Sequence, residues 1–155
     1  MTQNSAKSKK IISINKKARH DFFVDDSYEA GMELFGTEVK SIRNGALNLK
    51  DAYCVITDGQ LFVMGMHVSP FEQGNMQNRD PLRTRRLLMH KKEIMKLMGL
   101  VTQKGYTLVP LSIYFSGSKI KLEVGLCRGK KLYDKRDVEA KKQADRDMER
   151  YSKRG

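Results

Sequence analysis

The sequence predicts a small, mainly β domain with short helices, in which antiparallel strands close into a barrel of the oligonucleotide-binding kind. Three observations support this fold: segments of strand length alternate apolar with polar residues, glycine-containing turns separate them, and 155 residues suit one domain with tails. Closure is how a small all-β domain removes its exposed sheet edges. A split sheet with helices on one face is the alternative.

The first segment of the chain is basic and has little to bury. Residues 1–19 contain six lysines and arginines and no acidic residue. We therefore predict a flexible basic arm over residues 1–12, followed by the barrel domain over residues 13–128.

A strand, a helix and a hairpin are predicted in the first half of the barrel. Tyr28 to Leu34 alternates as a half-buried strand does. Thr37 can act as N-cap of a helix over Glu38 to Arg43, and Gly45 supplies a stop signal two residues later. The clearest hairpin runs from Ala52 to Met66.

The hairpin prediction depends on its turn. Two apolar runs flank Asp58-Gly59, and a type I′ turn needs a positive φ at both central residues, which this dipeptide tolerates. Farther along, Phe71 to Asp80 is polar and aperiodic and lies between two prolines. It is predicted to form an exposed loop that could order on binding.

A short strand at Leu87 to Met89 and a helix from Lys91 are predicted next. The helix has one buried face, because its apolar residues recur at i, i+3, i+4 and i+7. These residues are Ile94, Leu97, Met98 and Val101. Gly105 is expected to end the helix.

Two long strands complete the barrel. Tyr106 to Phe115 is strand-like, and Pro110 within it indicates an edge or a bulge. A turn at Ser116 to Ser118 leads into the alternating segment from Ile120 to Leu126, and Gly129 ends this last strand.

The remaining residues, 129–155, form the third predicted part of the chain. Few apolar residues interrupt their charges, so a free helix there would bury too little area to offset the cost of nucleation. We predict a basic tail that is disordered alone and helical when it docks.

Composition points to an anionic partner. Thirty lysines and arginines against eighteen acidic residues give a formal charge of +12, which suits a nucleic acid. No run approaches the roughly 20 apolar residues of a membrane-spanning helix, and the N-terminus does not resemble a signal peptide, so we expect a cytosolic protein. Cys54 and Cys127 are not in a CxxC spacing and are expected to be buried, reduced thiols.

The usual catalytic and metal-binding motifs do not occur in the sequence. It contains no P-loop, HExxH or GxSxG, and its histidines are far apart: His20, His67 and His90. Three carboxylates, Glu29, Glu33 and Glu38, could in principle hold Mg²⁺. Solvated ion pairs with basic neighbours are the favoured interpretation of Glu29 and Glu33. We expect no catalysis, no metal and no cofactor.

Five stretches, taken in order, resemble the small protein B family. They are Asn15 to His20, Tyr28 to Gly31, Gly36 to Arg43, Asp80 to Leu88, and Gly129 to Arg136. The resemblance implies a barrel that binds the tRNA-like part of transfer-messenger RNA, substitutes for missing tRNA structure, and enters stalled ribosomes. It also implies an adaptor that catalyses no reaction, and we expect a monomer in the cytoplasm.

The resemblance also implies an RNA-binding face. Its expected members are Asn15, Lys16, Lys17, Arg19, His20, Glu29, Arg83, Arg85, Arg86, Leu88 and Lys121. Each has a structural alternative: Asn15 could cap a turn, His20 could be a partly buried strand residue, and Leu88 could belong to the core. A carboxylate such as Glu29 would accept hydrogen bonds from base amino or imino groups, or orient an arginine.

The tail motif is assigned to the ribosome by the same resemblance. The residues concerned are Gly129, Lys130, Lys131, Tyr133, Asp134, Lys135 and Arg136. The tail is expected to contact 16S rRNA at the decoding centre and to enter the empty mRNA channel. Tyr133 stands where the family often has histidine, so it keeps a stacking surface without a titratable charge.

Two other classes of function compete with the adaptor. A general single-stranded nucleic-acid binder would need clustered aromatic platforms, whereas the adjacent Phe22 and Phe23 face opposite sides of a strand. A metal-dependent nuclease would lose its activity when a chelator is added.

Overall fold

A computed structural model describes residues 9–71 and 79–130. The strands in these residues are β1 (Lys9–Ile14), β2 (Phe22–Met32), β3 (Leu47–Asn48), β4 (Tyr53–Thr57), β5 (Gln60–Met64), β6 (His67–Val68), β7 (Arg85–Leu88), β8 (Thr107–Ser116) and β9 (Lys119–Gly129). The helices are α1 (Lys16–Asp21), α2 (Gly36–Arg43) and α3 (Lys91–Lys104). None of these helices is long and apolar enough to cross a membrane.

The strands form a closed antiparallel barrel. The order along the sheet is β1-β8-β4-β5-β7-β2-β9, and β9 pairs again with β8, which closes the ring. Strand β1 lies beside the second half of β8, while β3 and β6 make a separate two-stranded sheet. The predicted barrel is confirmed, and the split-sheet alternative is wrong.

The barrel interior is a single apolar core. Alternate residues of β9 point into it, as predicted: Leu122, Val124 and Leu126 are at most 5% exposed. Helix α3 contributes Ile94 and Leu97. Because side chains alternate along a strand, the intervening residues of β9 lie on the outer face of the barrel.

The β4–β5 hairpin has the predicted turn. Thr57 pairs with Gln60, and the two residues between them have positive φ, 53° at Asp58 and 75° at Gly59. These values suit a type I′ turn, so the aspartate-glycine signal is confirmed.

The two longer helices are present, with one different cap. Helix α3 ends where predicted, with Gly105 at φ 72°. Helix α2 begins two residues earlier than expected, with Phe35 as its N-cap. The Oε1 atom of Glu38 accepts a hydrogen bond of 2.9 Å from the Phe35 backbone N–H. The prediction of Thr37 as N-cap is wrong.

Residues 9–12 of the predicted flexible arm belong to a strand, so the prediction is wrong for them. Residues Lys9–Ile14 form β1, and their backbone pairs with β8, from Lys9 opposite Ser116 to Ile14 opposite Ser112. Ile12 also packs against the core. This pairing partner lies about 100 residues away in sequence, and local composition carries no signal for it. Residues 1–8, the loop over 72–78 and the tail over 131–155 lie outside the described residues.

Pro110 marks a bulge in β8, one of the two predicted alternatives. The pairing with β9 shifts between Pro110 and Ser112, which leaves Leu111 as the extra residue. Leu111 packs on the outer face against Ala18 of α1 and Cys127 of β9. The bulge thus builds a second small core that fixes α1 against the barrel.

Both cysteines are buried and free, as predicted. Burial raises the pKa of the Cys127 thiol to about 11, and burial together with the nearby Cys127 raises the pKa of Cys54 still further. Both thiols are therefore protonated at neutral pH, and the described structure uses them as small apolar groups.

Replacing Gly125 with alanine is expected to lower the free energy of unfolding by about 1–3 kcal/mol, a typical cost of overpacking a core. A Cβ at this position would lie 2.7 Å from Cδ1 of Leu111 and 3.0 Å from Sγ of Cys127. The control is Gly99→Ala, because a Cβ there meets nothing within 4 Å and alanine favours a helix. Urea unfolding of both variants measures the difference, and equal stability of the two would contradict the packing argument.

Candidate nucleic-acid interface

The outer face of the barrel brings several predicted RNA-binding residues together. Across the strand pairs, Gly31 of β2 lies opposite both Leu88 of β7 and Lys121 of β9, and Glu29 lies opposite Glu123 of β9. Residues in register on one face of a sheet are neighbours, with Cβ atoms about 4.5–5.5 Å apart. Glu29, Leu88 and Lys121, which are distant in sequence, therefore share one surface.

Leu88 is the apolar centre of this surface. Its residue exposure is 44%, so the alternative of a core position is wrong. Alternation along β7 explains this placement, since Arg85 and Leu87 are buried while Arg86 and Leu88 face outward. An exposed leucine beside a lysine offers an apolar contact and a cation to the same partner.

Arg86 extends the surface along β7. Its guanidinium lies 3.3 Å from a carboxylate oxygen of Glu33, and both side chains are about half exposed, at 43% and 55%. The favoured interpretation of Glu33 as a solvated ion pair is confirmed. Such a pair contributes little and is screened by salt, so Arg86 can exchange Glu33 for a phosphate at small cost.

Glu29 has a different partner from the expected basic one. The hydroxyl of Tyr114 donates a hydrogen bond of 2.5 Å to Oε2 of Glu29. The prediction of an ion pair between Glu29 and a basic neighbour is therefore wrong. Burial, followed by the hydrogen bond to Glu29, raises the pKa of Tyr114. The tyrosine therefore stays a donor and orients the carboxylate, whose other lone pairs can accept from a partner.

The carboxylate of Glu123, which lies opposite Glu29, also has hydrogen-bond and ion-pair partners. Its Oε1 atom accepts a 2.9 Å hydrogen bond from the Ser112 hydroxyl and lies 3.6 Å from the guanidinium of Arg19. Two carboxylates directly opposite each other would repel. The hydroxyl groups of Tyr114 and Ser112, with the charge of Arg19, offset that repulsion and keep both acceptors in place.

Helix α1 adds exposed basic side chains, of which Arg19 lies next to the carboxylate of Glu123. Lys16, Lys17, Arg19 and His20 are all exposed. Lys17 lies 3.2 Å from Asp51, and the imidazole of His20, whose side chain is 87% exposed, lies 2.9 Å from Asp21. The alternative of His20 as a partly buried strand residue is wrong.

Comparisons with known proteins agree with this fold. The model of the family described as "SmpB protein" matches residues 12–154. The chain belongs to the SmpB family. Its curated relatives include SsrA-binding proteins of Clostridium botulinum, 54% identical over 147 residues, covering 95% of this chain and 94% of the relative. The SsrA-binding protein of Ruminiclostridium cellulolyticum is 56% identical over 144 residues, covering 93% and 94%.

A solved structure is also similar. It is described as "tmRNA-SmpB: a journey to the center of the bacterial ribosome" and superposes with a TM-score of 0.65 at 45% identity, covering 76% of this chain and 83% of that chain. The resemblance found from the five sequence stretches is thus confirmed, and the expected fold class with it.

Asn15 is a structural residue in this SmpB-family chain, and the prediction of RNA contact is corrected. Its residue exposure is 3%. The side-chain amide donates to the carbonyl oxygens of Leu49, at 3.0 Å, and Pro110, at 2.9 Å, while its Oδ1 accepts from the Ala18 N–H at 3.1 Å. It caps α1 and ties that helix to the barrel, and its buried amide is not part of the exposed face.

Arg85 is corrected in the same way. Its side chain is fully buried, and its Nε donates to Glu38 at 2.9 Å. The remaining donors reach the carbonyl oxygens of Met66, Arg83 and Pro81 at 2.8, 2.9 and 3.1 Å. Arg85 therefore organises the interior, and the alternation with buried Leu87 is the sequence signal that could have shown it.

Arg83 has an intermediate position. Its guanidinium lies 2.7 Å from Glu38, and its side chain is 27% exposed. It also lies 4.6 Å from the ring centroid of Phe35, a ring that Arg79 covers at 3.8 Å. Phe35 and Arg79 were not among the residues predicted from the sequence. The available signals were an aromatic residue at the start of a helix and an arginine beside the polar loop.

Edge strand β1 carries exposed side chains that were also not predicted from the sequence. Ile11 and Ile14 are 57% and 46% exposed and lie opposite Tyr114 and Ser112 on the outer face. The amino group of Lys9 lies 5.1 Å from the Tyr114 ring centroid. These exposed side chains were not predicted, because strand alternation can be applied only to a segment that is known to be a strand.

Residues 128–130, where the predicted tail leaves the barrel, contact neighbouring elements. Gly129 ends β9, and Lys130 donates to the carbonyl of Arg19 at 3.2 Å. Arg128 makes hydrogen bonds of 2.9 and 3.1 Å to the two carboxylate oxygens of Asp25. The other predicted tail residues, Lys131, Tyr133, Asp134, Lys135 and Arg136, lie outside the described residues.

The three carboxylates weighed as a magnesium site have separate partners. Glu29 binds Tyr114, Glu33 binds Arg86, and Glu38 is buried between two arginines. Within residues 9–71 and 79–130, no three histidine, cysteine, aspartate or glutamate side chains are grouped as metal ligands would be.

Proposed function

We propose that this chain binds the tRNA-like domain of transfer-messenger RNA through the outer face of β2, β7 and β9, and delivers that RNA to stalled ribosomes. The observation that carries the proposal is the convergence of Glu29, Leu88 and Lys121 on one surface. Its relatives are named SsrA-binding proteins, and the similar solved structure is described as tmRNA-SmpB in the bacterial ribosome. Both support an RNA adaptor.

Each group on this surface has a distinct chemical use. Arg86, Lys121 and the cations of α1 would neutralise phosphates, a contribution that is strong and independent of base sequence. Leu88 would pack on an exposed base. Glu29, oriented by Tyr114, would accept hydrogen bonds from base amino or imino groups, which phosphates cannot replace.

The tail completes the proposal. It would leave the barrel at Lys130 and place Lys131, Tyr133, Asp134, Lys135 and Arg136 against 16S rRNA in the decoding centre and the empty mRNA channel. Body and tail would then act on different RNAs. The protein would work as a cytoplasmic monomer that catalyses no reaction, and incubating RNA with it in Mg²⁺, with and without EDTA, tests the absence of cleavage.

A gel-shift titration tests the central claim. The full chain is titrated against transfer-messenger RNA, its isolated tRNA-like domain and an unstructured RNA of equal length. We expect the tRNA-like domain to be preferred over the unstructured RNA by about a hundredfold, or roughly 2.7 kcal/mol. Equal affinity for all three RNAs would indicate a general basic nucleic-acid binder instead.

The double variant Arg86→Ala/Lys121→Ala is expected to weaken binding and flatten its salt dependence. Each lost phosphate contact removes about 0.9 unit from the slope of log affinity against log salt. The matched control is Lys92→Ala/Lys104→Ala, which removes the same charge from exposed positions of α3. Gel shifts at several salt concentrations measure both slopes, and a slope equal to that of the control would remove Arg86 and Lys121 from the interface.

A further inference from the structure

Arg128, near the end of β9, is joined to two elements that are distant in sequence. Its guanidinium donates hydrogen bonds of 2.9 and 3.1 Å to the two carboxylate oxygens of Asp25 in β2. The hydroxyl of Tyr106, in the connection between α3 and β8, donates to the same carboxylate at 2.8 Å. The end of β9 is thus joined through Asp25 to β2 and to the start of β8.

Asp25 has this position because β2 contains a bulge. The pairing of β2 with β9 shifts between Val24 and Asp26, which leaves Asp25 as the extra residue. A bulge interrupts regular strand pairing and changes the direction of a side chain. In this bulge the carboxylate of Asp25 meets the guanidinium of Arg128 on the neighbouring strand.

Lys130, the last described residue, has contacts of its own. Its amino group donates to the carbonyl of Arg19 in α1 at 3.2 Å and lies 5.3 Å from the ring centroid of Phe23. The guanidinium of Arg128 lies 5.4 Å from the same ring. Both cations at the end of β9 therefore pack on one aromatic ring of β2.

The pair of Asp25 and Arg128 supplies orientation more than stability. Their side chains are partly exposed, at 28% and 40%, so solvent screens the attraction between the charges. A bidentate pair nevertheless fixes both the distance and the direction of its two partners. The hydrogen bonds from Arg128 and Tyr106 hold the pKa of Asp25 below its ordinary value, so the carboxylate is charged at neutral pH.

We propose that Asp25 is a positioning residue for the tail: through Arg128 it fixes the direction in which residues 131–155 leave the barrel. The inference rests on the proposed function, in which the body binds one RNA and the tail contacts the ribosome. A tail with a fixed first segment loses less conformational entropy when it docks than a tail with a free one. Asp25 would therefore affect ribosome rescue without contacting RNA.

The test compares two adjacent aspartates. Asp25→Ala removes the carboxylate that binds Arg128. The matched control is Asp26→Ala, which makes the same change of charge at an exposed residue whose carboxylate accepts from the Ser27 N–H and the Tyr28 hydroxyl. Both variants are compared in rescue of stalled ribosomes, in gel shift against the isolated tRNA-like domain, and in thermal unfolding.

Asp25→Ala is expected to slow rescue on the order of tenfold at limiting protein concentration. This equals about 1.4 kcal/mol, the cost of ordering roughly one residue of backbone. Its affinity for the tRNA-like domain and its melting temperature should equal those of Asp26→Ala. Equal rescue by the two variants would overturn the proposal. A parallel loss of RNA affinity or of melting temperature would also overturn it, because it would show a structural role.

A fluorescence measurement reports on the first segment of the tail. The substitution Leu132→Cys provides a thiol for a maleimide dye, whereas Cys54 and Cys127 are buried and protonated and should not react. The anisotropy of the dye should be lower in Asp25→Ala than in Asp26→Ala, because the labelled segment moves more freely without the clamp. Equal anisotropy in the two would contradict the proposal.

The chain ending at Lys130 separates this inference from the proposed function. Normal rescue by the truncated chain would overturn the proposed role of the tail and the inference with it. Loss of rescue on truncation, combined with equal rescue by Asp25→Ala and Asp26→Ala, would overturn the positioning role alone.

Discussion

Replacing Glu38 with alanine is expected to lower the free energy of unfolding by about 3–5 kcal/mol, because it leaves a buried arginine without its counter-charge. Glu38 is 4% exposed and the side chain of Arg85 is fully buried. The two Glu38 oxygens accept hydrogen bonds from Arg83, Arg85 and the Phe35 backbone. One carboxylate thus joins the start of α2 to the start of β7.

The pKa of Glu38 gives this prediction a pH dependence. Burial raises the pKa, but the hydrogen bonds from Arg83 and the Phe35 N–H, with the charges of Arg85 and Arg83, outweigh it and lower the pKa below 4.5. A carboxylate with a lowered pKa in the folded state stabilises the protein fully above its unfolded pKa. That contribution is lost as the pH falls through the folded pKa.

The matched control is Glu33→Ala, which removes another carboxylate paired with an arginine of β7. Because Glu33 and Arg86 are both exposed, we expect a change of less than about 1 kcal/mol. Denaturant unfolding at pH 7 compares the free energies of unfolding of the two variants. When the measurement is repeated near pH 3, the difference in free energy of unfolding between the unmodified chain and Glu38→Ala should become smaller. Equal stability of the two variants at pH 7 would show that the buried network does not hold α2 to β7.

A chain ending at Lys130 is expected to keep its affinity for the tRNA-like domain within about threefold, or roughly 0.7 kcal/mol, and to lose ribosome rescue. The proposed RNA face consists of residues before this point. Lys130 itself is retained because its amino group contacts the Arg19 carbonyl and lies 5.3 Å from the Phe23 ring centroid. Truncation there leaves the described contacts of the barrel intact.

The same separation is expected in the full chain with Tyr133→Ala and Asp134→Ala. RNA affinity is measured by gel shift, and rescue is measured as recycling of stalled ribosomes in a reconstituted translation system supplied with transfer-messenger RNA. The Arg86→Ala/Lys121→Ala variant is the converse control, because it should weaken binding to the tRNA-like domain while its tail is unchanged. Parallel loss of RNA affinity and rescue in the tail variants would contradict separate roles for body and tail.

Arg85 and Asn15 were predicted to contact RNA, but both side chains are buried. Arg85 lies in a cluster of three arginines, which suggested phosphate contact, but strand alternation turns it inward with Leu87 while Arg86 and Leu88 face outward. The family resemblance implied RNA contact for Asn15, but its side-chain amide forms hydrogen bonds with backbone groups of residues 18, 49 and 110. In both cases some of the partners are remote in sequence: Leu49 and Pro110 for Asn15, and Glu38 for Arg85.

The sequence by itself determined the features that depend on neighbouring residues. Asp58-Gly59 specifies the β4–β5 turn, Gly105 ends α3, and the alternation from Ile120 to Leu126 defines the two faces of β9. The five family stretches likewise identified the family without coordinates. These signals are local because turn conformation, helix termination and strand alternation are set by residues within a few positions.

Only the tertiary structure decided which polar residues are accessible and which strands adjoin. Pairing of β1 with β8, burial of Arg85 against Glu38, and the meeting of Gly31, Leu88 and Lys121 join segments up to about 100 residues apart. Strand pairing and the burial of charge depend on the free energy of the whole closed barrel. The position of an RNA-binding face therefore emerges only when the barrel closes.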